Sequence, residues 1–276
     1  MFRTILSGDL PVRNEVPEPT VTEELADCTS DAISKWTSLV VGLPSEAGPR
    51  MPHGHCDLSF AIDGDIEQHS LRQLQETVRS SVRNYSGWPP FVTIMRQPFS
   101  PKPIDGAIQS WFGVDDGEVR EAPDHSDFWR VSPKGLMFIR RGYSEDARHF
   151  EDIVPGTAFD ITTPARRLGE ALLNAGRIAQ ALGGDGTDLI CSAQWVGLDG
   201  RKLVSRGNPR RMISDRYRCS QSIYSAETRV AVSSVSTALP EVVRSMLDPR
   251  YELFDFLQPP SELYEQELSE LRRHEF

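Results

Sequence analysis

Leu71, Leu74, Val78, Val82 and Tyr85 recur at steps of three and four, which puts them on one face of a helix. Ser70 and Gln73 form a capping box ahead of it. Pro89 and Pro90, in GWPPF (87–91), end it because neither can continue a helix. A second stripe, Leu168, Ala171, Leu172, Ala175, Ala179 and Leu182, predicts a helix over 164–182. Thr163 is its expected N-cap, and Pro164 takes the first helical position, where a missing N–H costs nothing. Elsewhere the period is two. CDLSFAID (56–63) sets Leu58, Phe60 and Ile62 on one side, which predicts a strand with one buried face. FWRVSPKGLMFIRRGY predicts a hairpin with strands at 128–131 and 136–141. Pro133 presets its turn and Gly135 closes it. LICSAQWVGL (189–198) is a predicted strand, and the Asp199-Gly200 turn returns RKLVS (201–205) as its partner.

The remaining pattern is coarser. A short helix is expected at 21–36, a strand at 37–42 (TSLVVG) and a loop at 44–55. Strands are expected at 91–96 and 107–113, a strand pair within 219–235, and helices at about 237–247 and 261–273. Prolines at 11, 17 and 19 make 8–20 an exposed arm. The two halves run alike in outline, each with one long helix and several strands. The expected fold is therefore α+β: two packed α+β modules, each a helix against a mostly antiparallel sheet. Residues 1–55 would be an arm with a short helix and strand, 56–150 the first module, and 151–276 the second with its C-terminal helices.

Composition narrows the function. The chain has 276 residues, 38% of them hydrophobic, enough for one large core or two small ones. A net charge of −10 repels nucleic acid and anionic membrane unless a local patch reverses the field. No apolar run approaches the ~18 residues of a membrane span, and the N-terminal stretch lacks the apolar core of a signal peptide. Cys28, Cys56, Cys191 and Cys219 form no CxxC pair. They read as reduced thiols of a cytoplasmic protein.

Several stretches carry candidate chemistry. GGDGT within ALGGDGTD (181–188) resembles the nucleotide-binding fingerprint of diacylglycerol-type lipid kinases and NAD kinases. A phosphate-binding turn should follow a strand and open a helix, and here the order is reversed. Gly183 and Gly184 therefore read as a helix C-cap. MPHGHCD gathers His53, His55 and Cys56, the right atoms for a transition metal but without a second ligand pair. No cofactor is expected. DHSDFWR collects Asp124, His125 and Asp127 before Trp129. An Asp beside a His can orient a general base, yet no nucleophile motif accompanies them, so these four are pocket candidates. RKLVSRGNPRRMISDRYR holds Arg201, Lys202, Arg206, Arg210, Arg211, Arg216 and Arg218 against Asp215 alone, with Tyr217 as a stacking face. Guanidinium forks suit phosphate oxygens, whereas a run of like charges is also the ordinary look of a solvated loop. Of Arg140 and Arg141, one at most can join such a patch, because neighbours on a strand face opposite ways.

GWPPF (87–91), HSDFWRVSPKGLMFIRRGYSED (125–146), PGTAFDITTPARRLGEALLNAGRIA (155–179) and AQWVGLDGRKL (193–203) resemble a region of bacterial regulator-like proteins. In those proteins it follows a Schlafen-type AlbA_2 DNA-binding domain. The resemblance covers roughly 56–205. The AlbA_2 domain itself is not found in this chain, so the resemblance implies the accessory half alone, with no catalytic residue to carry over. The function expected is a non-enzymatic sensor or interaction protein of a bacterial regulatory or defence system, acting with a partner subunit. The alternatives are a nucleic-acid or nucleotide-phosphate binder using 201–218 and a metal-dependent hydrolase.

Overall fold

The computed structural model describes residues 19–147, 153–206, 213–256 and 259–273. The fold is α+β. Seven antiparallel strands form its central sheet, in the order β11-β9-β1-β7-β6-β3-β2. These are β1 (His55–Asp63), β2 (Lys102–Ile104), β3 (Ala107–Trp111), β6 (Phe128–Val131), β7 (Leu136–Gly142), β9 (Asp188–Val196) and β11 (Ile223–Ala231). Two small sheets stand aside: β4 (Val114–Asp115) with β5 (Glu118–Val119), and β8 (Ala158–Asp160) with β10 (Lys202–Val204). The helices are α1 (Val21–Val40), α2 (Leu71–Ser81), α3 (Thr163–Gly183), α4 (Leu239–Glu252) and α5 (Ser261–Arg273). The segments 56–150 and 151–276 share the one central sheet, since β1 lies between β7 and β9.

β1 is buried on both faces, where one was expected. Leu58, Phe60 and Ile62 face the main core with Leu168, Ala171, Leu172 and Ala175 of α3. The intervening Ser59 and Ala61 are small enough to admit α1 on the other face. Leu25 packs with Ala61, Leu136 and Ile190 there, and Thr29 meets Ser59 at 2.8 Å between hydroxyl oxygens. Packing on the sheet also explains why 37–42 is not a strand. α1 runs on to Val40, Trp36 and Leu39 pack against the Phe128–Phe138 cluster, and the Thr37 and Ser38 hydroxyls donate back to the carbonyls of Ile33 and Ser34. Tertiary contact overrides the strand preference of the β-branched run.

Other elements follow the hydrophobic pattern closely. The 128–141 hairpin and the Ser70–Gln73 capping box are present, and every residue of the α3 stripe is buried. α2, however, stops at Ser81, well before the prolines. Four further differences are seen. No strand covers 91–96; Phe91 and Val92 are buried in a loop whose Val92 carbonyl accepts the Trp129 indole N–H. The cap of α3 is Asp160 rather than Thr163. Its Oδ1 accepts the backbone N–H and hydroxyl of both Thr162 and Thr163. Residues 201–205 do not return along β9, whose two edges are taken by β1 and β11; β10 pairs in parallel with β8 instead. Within 219–235 there is one strand, β11, not a pair. As expected, α3 ends at Gly183, and Gly184 closes it at φ +75°. No described helix is long and apolar enough to cross a membrane. The expected arm falls mostly on residues 1–18, outside the described residues.

Gly197 makes the turn off β9 possible. Its φ is +80°, and an added Cβ would lie 2.3 Å from the His53 carbonyl oxygen, a backbone atom that cannot swing aside. Gly197→Ala is therefore expected to cost about 2–4 kcal/mol, from left-handed strain plus the clash. Urea unfolding followed by circular dichroism measures it, and a change under about 0.5 kcal/mol, the range of an ordinary surface substitution, would contradict this account.

Candidate functional site

The chemistry of this chain is buried, and it sits on the strands at α3's N-terminal end. Adjacent strand residues face opposite sides, so Arg140 and Arg141 part company. Arg140 turns toward α1. Its Nε and Nη2 donate to the two carboxylate oxygens of Asp57 at 2.7 and 2.6 Å, and its guanidinium lies 4.3 Å from the Trp36 ring centre. Arg141 turns toward α3 and forks onto Asp127, which also accepts the Trp88 indole N–H at 3.1 Å. Arg141 further donates to the Pro89 carbonyl. A third fork joins Arg201 to Asp146 at 2.9 and 2.7 Å. Arg201 is fully buried over the Tyr143 ring and also donates to the carbonyls of His53, Ala158 and Gly197.

Among these groups lies a cavity of about 30 Å³, lined by Cys56, Arg141, Tyr143, Glu145, Arg167 and Trp195 among others. That volume admits about two waters or one small ionic group. Arg167 enters from the first turns of α3. Its Nη1 is sealed from solvent and has no hydrogen-bond partner among the described residues. Burial, and then the neighbouring Arg141 charge, pull Arg167 below the usual arginine range. Glu145 sits across the wall, accepting the Asp160 N–H and the Ser144 hydroxyl, and burial lifts its carboxyl above the usual range. Behind the aromatic wall is Arg250 of α4, fully buried. Its guanidinium is 4.7 Å from the Phe159 ring centre, 5.0 Å from Trp195 and 4.5 Å from Tyr251. None of its three nitrogens has a hydrogen-bond partner among the described residues. Two larger surface depressions, of about 350 and 450 Å³, are lined by no buried charge.

The groups that could act as nucleophiles here are held neutral. Burial pushes the Cys56 thiol and the Tyr143 hydroxyl well above their ordinary values. The thiolate is the reactive form of cysteine, so this environment suppresses it. What the cavity offers is fixed positive charge.

The sequence-derived candidates divide accordingly. His53, His55 and Cys56 do not converge. His55 faces α1 beside Trp36, Cys56 faces the cavity, and His53 lies at Gly156 in another depression. Among the described residues no group of three His, Cys, Asp or Glu side chains could hold a metal. Asp127 belongs to the Arg141 fork, and Trp129 is core, its indole given to Val92. Asp124 and His125 do meet, at 3.3 Å, with His125 edge-on to Trp88. Among the described residues the 201–218 run is divided between buried and exposed positions. Arg201 is the buried member of a fork, and the Arg206 backbone N–H caps Asp160. Lys202 reaches Asp215 at 3.2 Å. Arg216 covers Tyr217, whose ring packs edge-on against Phe256, and Arg218 donates to the Gly200 carbonyl. Arg210 and Arg211 lie outside the described residues.

Glu145, Arg167 and Arg250 were not singled out in the sequence. One signal was there for Arg250: it stands three and four residues after Leu247 and Met246, on the buried stripe of α4. An arginine in an apolar register is a buried charge that must be compensated. No family model matches the chain, and neither curated proteins nor solved structures match it.

His55 supplies a pH test of the α1 face. Burial lowers it to about 4, and the Asp57 charge that would favour protonation is already engaged by Arg140. The unfolded chain then binds a proton near pH 6.5 that the folded chain refuses until about pH 4. Stability from this group is complete above pH 6.5 and falls between there and about pH 4. At pH 5 the loss is about 2 kcal/mol. His55→Asn should remove that part of the acid sensitivity, read as the difference in urea midpoint between pH 7 and pH 5. An unchanged difference would show that His55 is not buried neutral.

Proposed function

We propose that this chain is a non-catalytic sensor module that takes a small anion into the arginine-lined cavity and passes its occupancy to a partner protein. The observation that carries the reading is Arg167, which lines the cavity and whose Nη1 is sealed from solvent without an acceptor among the described residues. A buried cation left unpaired costs several kcal/mol. Arg140, Arg141 and Arg201 each avoid that cost with a carboxylate fork; Arg167, half-buried, feels the charges of Asp127, Asp124 and Glu145 but has no such fork among the described residues. Size limits the occupant to a carboxylate or an inorganic oxyanion, about the volume of the waters it would displace. The inert Cys56 and Tyr143 support recognition over chemistry. The four stretches that resemble the accessory region of bacterial regulators converge here. Trp88, Asp127, Arg141, Glu145, Arg167 and Arg201 all come from them. A role beside a regulatory or defence partner is the reading this supports. The nucleic-acid alternative retains Lys202, Arg216 and Arg218 among the described residues, and the hydrolase alternative loses its shared ligand site.

Thermal unfolding in formate, acetate, nitrate or phosphate, each against matched chloride, tests the proposal. At least one anion should raise the Tm saturably, by the equivalent of about 2.7 kcal/mol at a hundredfold excess over its Kd. Arg167→Gln should fold and lose the shift. No saturable shift with any of the four, or an equal shift in Arg167→Gln, would overturn it.

A further inference from the structure

The two edges of the central sheet are treated differently. β2 is three residues long, and Pro103 sits in it beside the exposed Lys102. Shortness, proline and lysine are the usual guards of a strand edge. β11, at the other end, is nine residues long, with an unbroken register to β9 and no proline. An unguarded strand of that length is a template for another strand.

The direction of its free groups can be worked out. Val232 N–H donates to the Thr187 carbonyl at 3.0 Å, and the Gly197 N–H donates to the Ser222 carbonyl at 2.8 Å. Even-numbered residues therefore bond toward β9. In an antiparallel ladder the alternate residues point the other way, so the N–H and C=O groups of 223, 225, 227, 229 and 231 face outward. The side chains of Ile223, Ser225, Glu227 and Arg229 share one exposed face of the sheet. Arg229 already touches Asp63 and lies 3.8 Å from Asp188. Glu227 makes no ion pair among the described residues.

We infer that β11 pairs antiparallel with β11 of a second copy of this chain, about a two-fold axis at Thr228. The charges select the partner and the register. Outward-facing residues must oppose outward-facing residues, so allowed registers differ by steps of two. An axis at Glu227 sets two carboxylates face to face, and an axis at Arg229 sets two guanidiniums face to face. An axis at Thr228 opposes Glu227 of each copy to Arg229 of the other, twice by symmetry, and joins 225–231 through about eight backbone hydrogen bonds. Like charges would guard this edge. Opposite charges two positions apart make it self-complementary under a two-fold.

Sedimentation velocity on the full chain across a dilution series is the experiment. A dimer is expected at the upper concentrations. Ser225→Pro removes an outward N–H and the exposed hydroxyl that accepts from the Gln194 amide, and leaves the backbone ladder to β9 whole, so it should give a folded monomer with an unchanged circular dichroism spectrum. Glu227→Arg, which breaks no ion pair among the described residues, should weaken association about tenfold or more. Cysteine at 228 reads the register, because 228 would face itself at a non-hydrogen-bonded position within disulfide reach. It is introduced with Cys191→Ala, since Cys191 is its neighbour on β9. Thr228→Cys should cross-link on oxidation and Ala226→Cys should not. A monomer at every concentration overturns the inference. So does a dimer indifferent to Ser225→Pro, or cross-linking at 226 rather than 228.

Discussion

An arginine buried in a protein must find a carboxylate or leave a cost unbalanced, and that constraint organises this molecule. Three forks satisfy it: Asp57–Arg140, Asp127–Arg141 and Asp146–Arg201. Each spans a long stretch of sequence or fixes a loop. Arg141 holds the Trp88–Pro89 segment by carbonyls as well as Asp127, and Arg201 gathers the 53, 158 and 197 carbonyls around Asp146. Such pairs are weak evidence of net stability, because desolvation offsets attraction. Their consequence lies in what breaking one does. Truncating a single partner leaves a lone buried charge, at about 3–5 kcal/mol. The loops around the cavity are therefore fixed in place by pairs that cannot lose one member alone.

Against that background Arg167 and Arg250 stand out. Both are positive, Arg250 fully buried and Arg167 half-buried, and among the described residues neither has a carboxylate fork. For Arg250 the aromatic faces of Phe159, Trp195 and Tyr251 supply partial compensation, since a desolvated cation over a ring gains about 2 kcal/mol or more. Arg167 has no such box. Its side chain lines the small cavity, and the charges of Asp127, Asp124 and Glu145 offset its burial only in part.

Much of this was legible where one residue's neighbours in sequence decide its state. The α3 stripe, the Ser70 capping box, the 128–141 hairpin and the glycine cap at 183–184 depend on local spacing, and all are present. Reading failed where a distant partner decides. TSLVVG has strand composition, yet the sheet surface beneath it keeps it helical. RKLVS looked like a hairpin return, yet both edges of β9 belong to strands far away in sequence. Arg201 was counted in a basic surface run and is fully buried, because charge counting cannot see Asp146, 55 residues earlier. The cavity was invisible for the same reason: its walls come from β1, β7, α3 and β9.

The cavity and the edge strand meet at Trp195. Its ring lines the cavity, boxes Arg250 and stacks on Tyr224 of β11 with ring centres 5.7 Å apart. Tyr224 in turn donates its hydroxyl to the Met246 carbonyl of α4, the helix that carries Arg250. A second strand on the free edge of β11 would restrict the fluctuations of Tyr224, hence of Trp195 and the guanidinium behind it. An anion drawing Arg167 and the wall together would restrict the same rings from the other side. Each event would then make part of the ordering cost of the other unnecessary, which is positive coupling without any change of shape. Linkage makes it reciprocal: whatever factor the anion contributes to pairing, pairing must contribute to anion affinity. A sensor of this build needs no hinge, since the buried arginine and its aromatic box are shared by the site that would receive the ligand and the edge that would receive the partner.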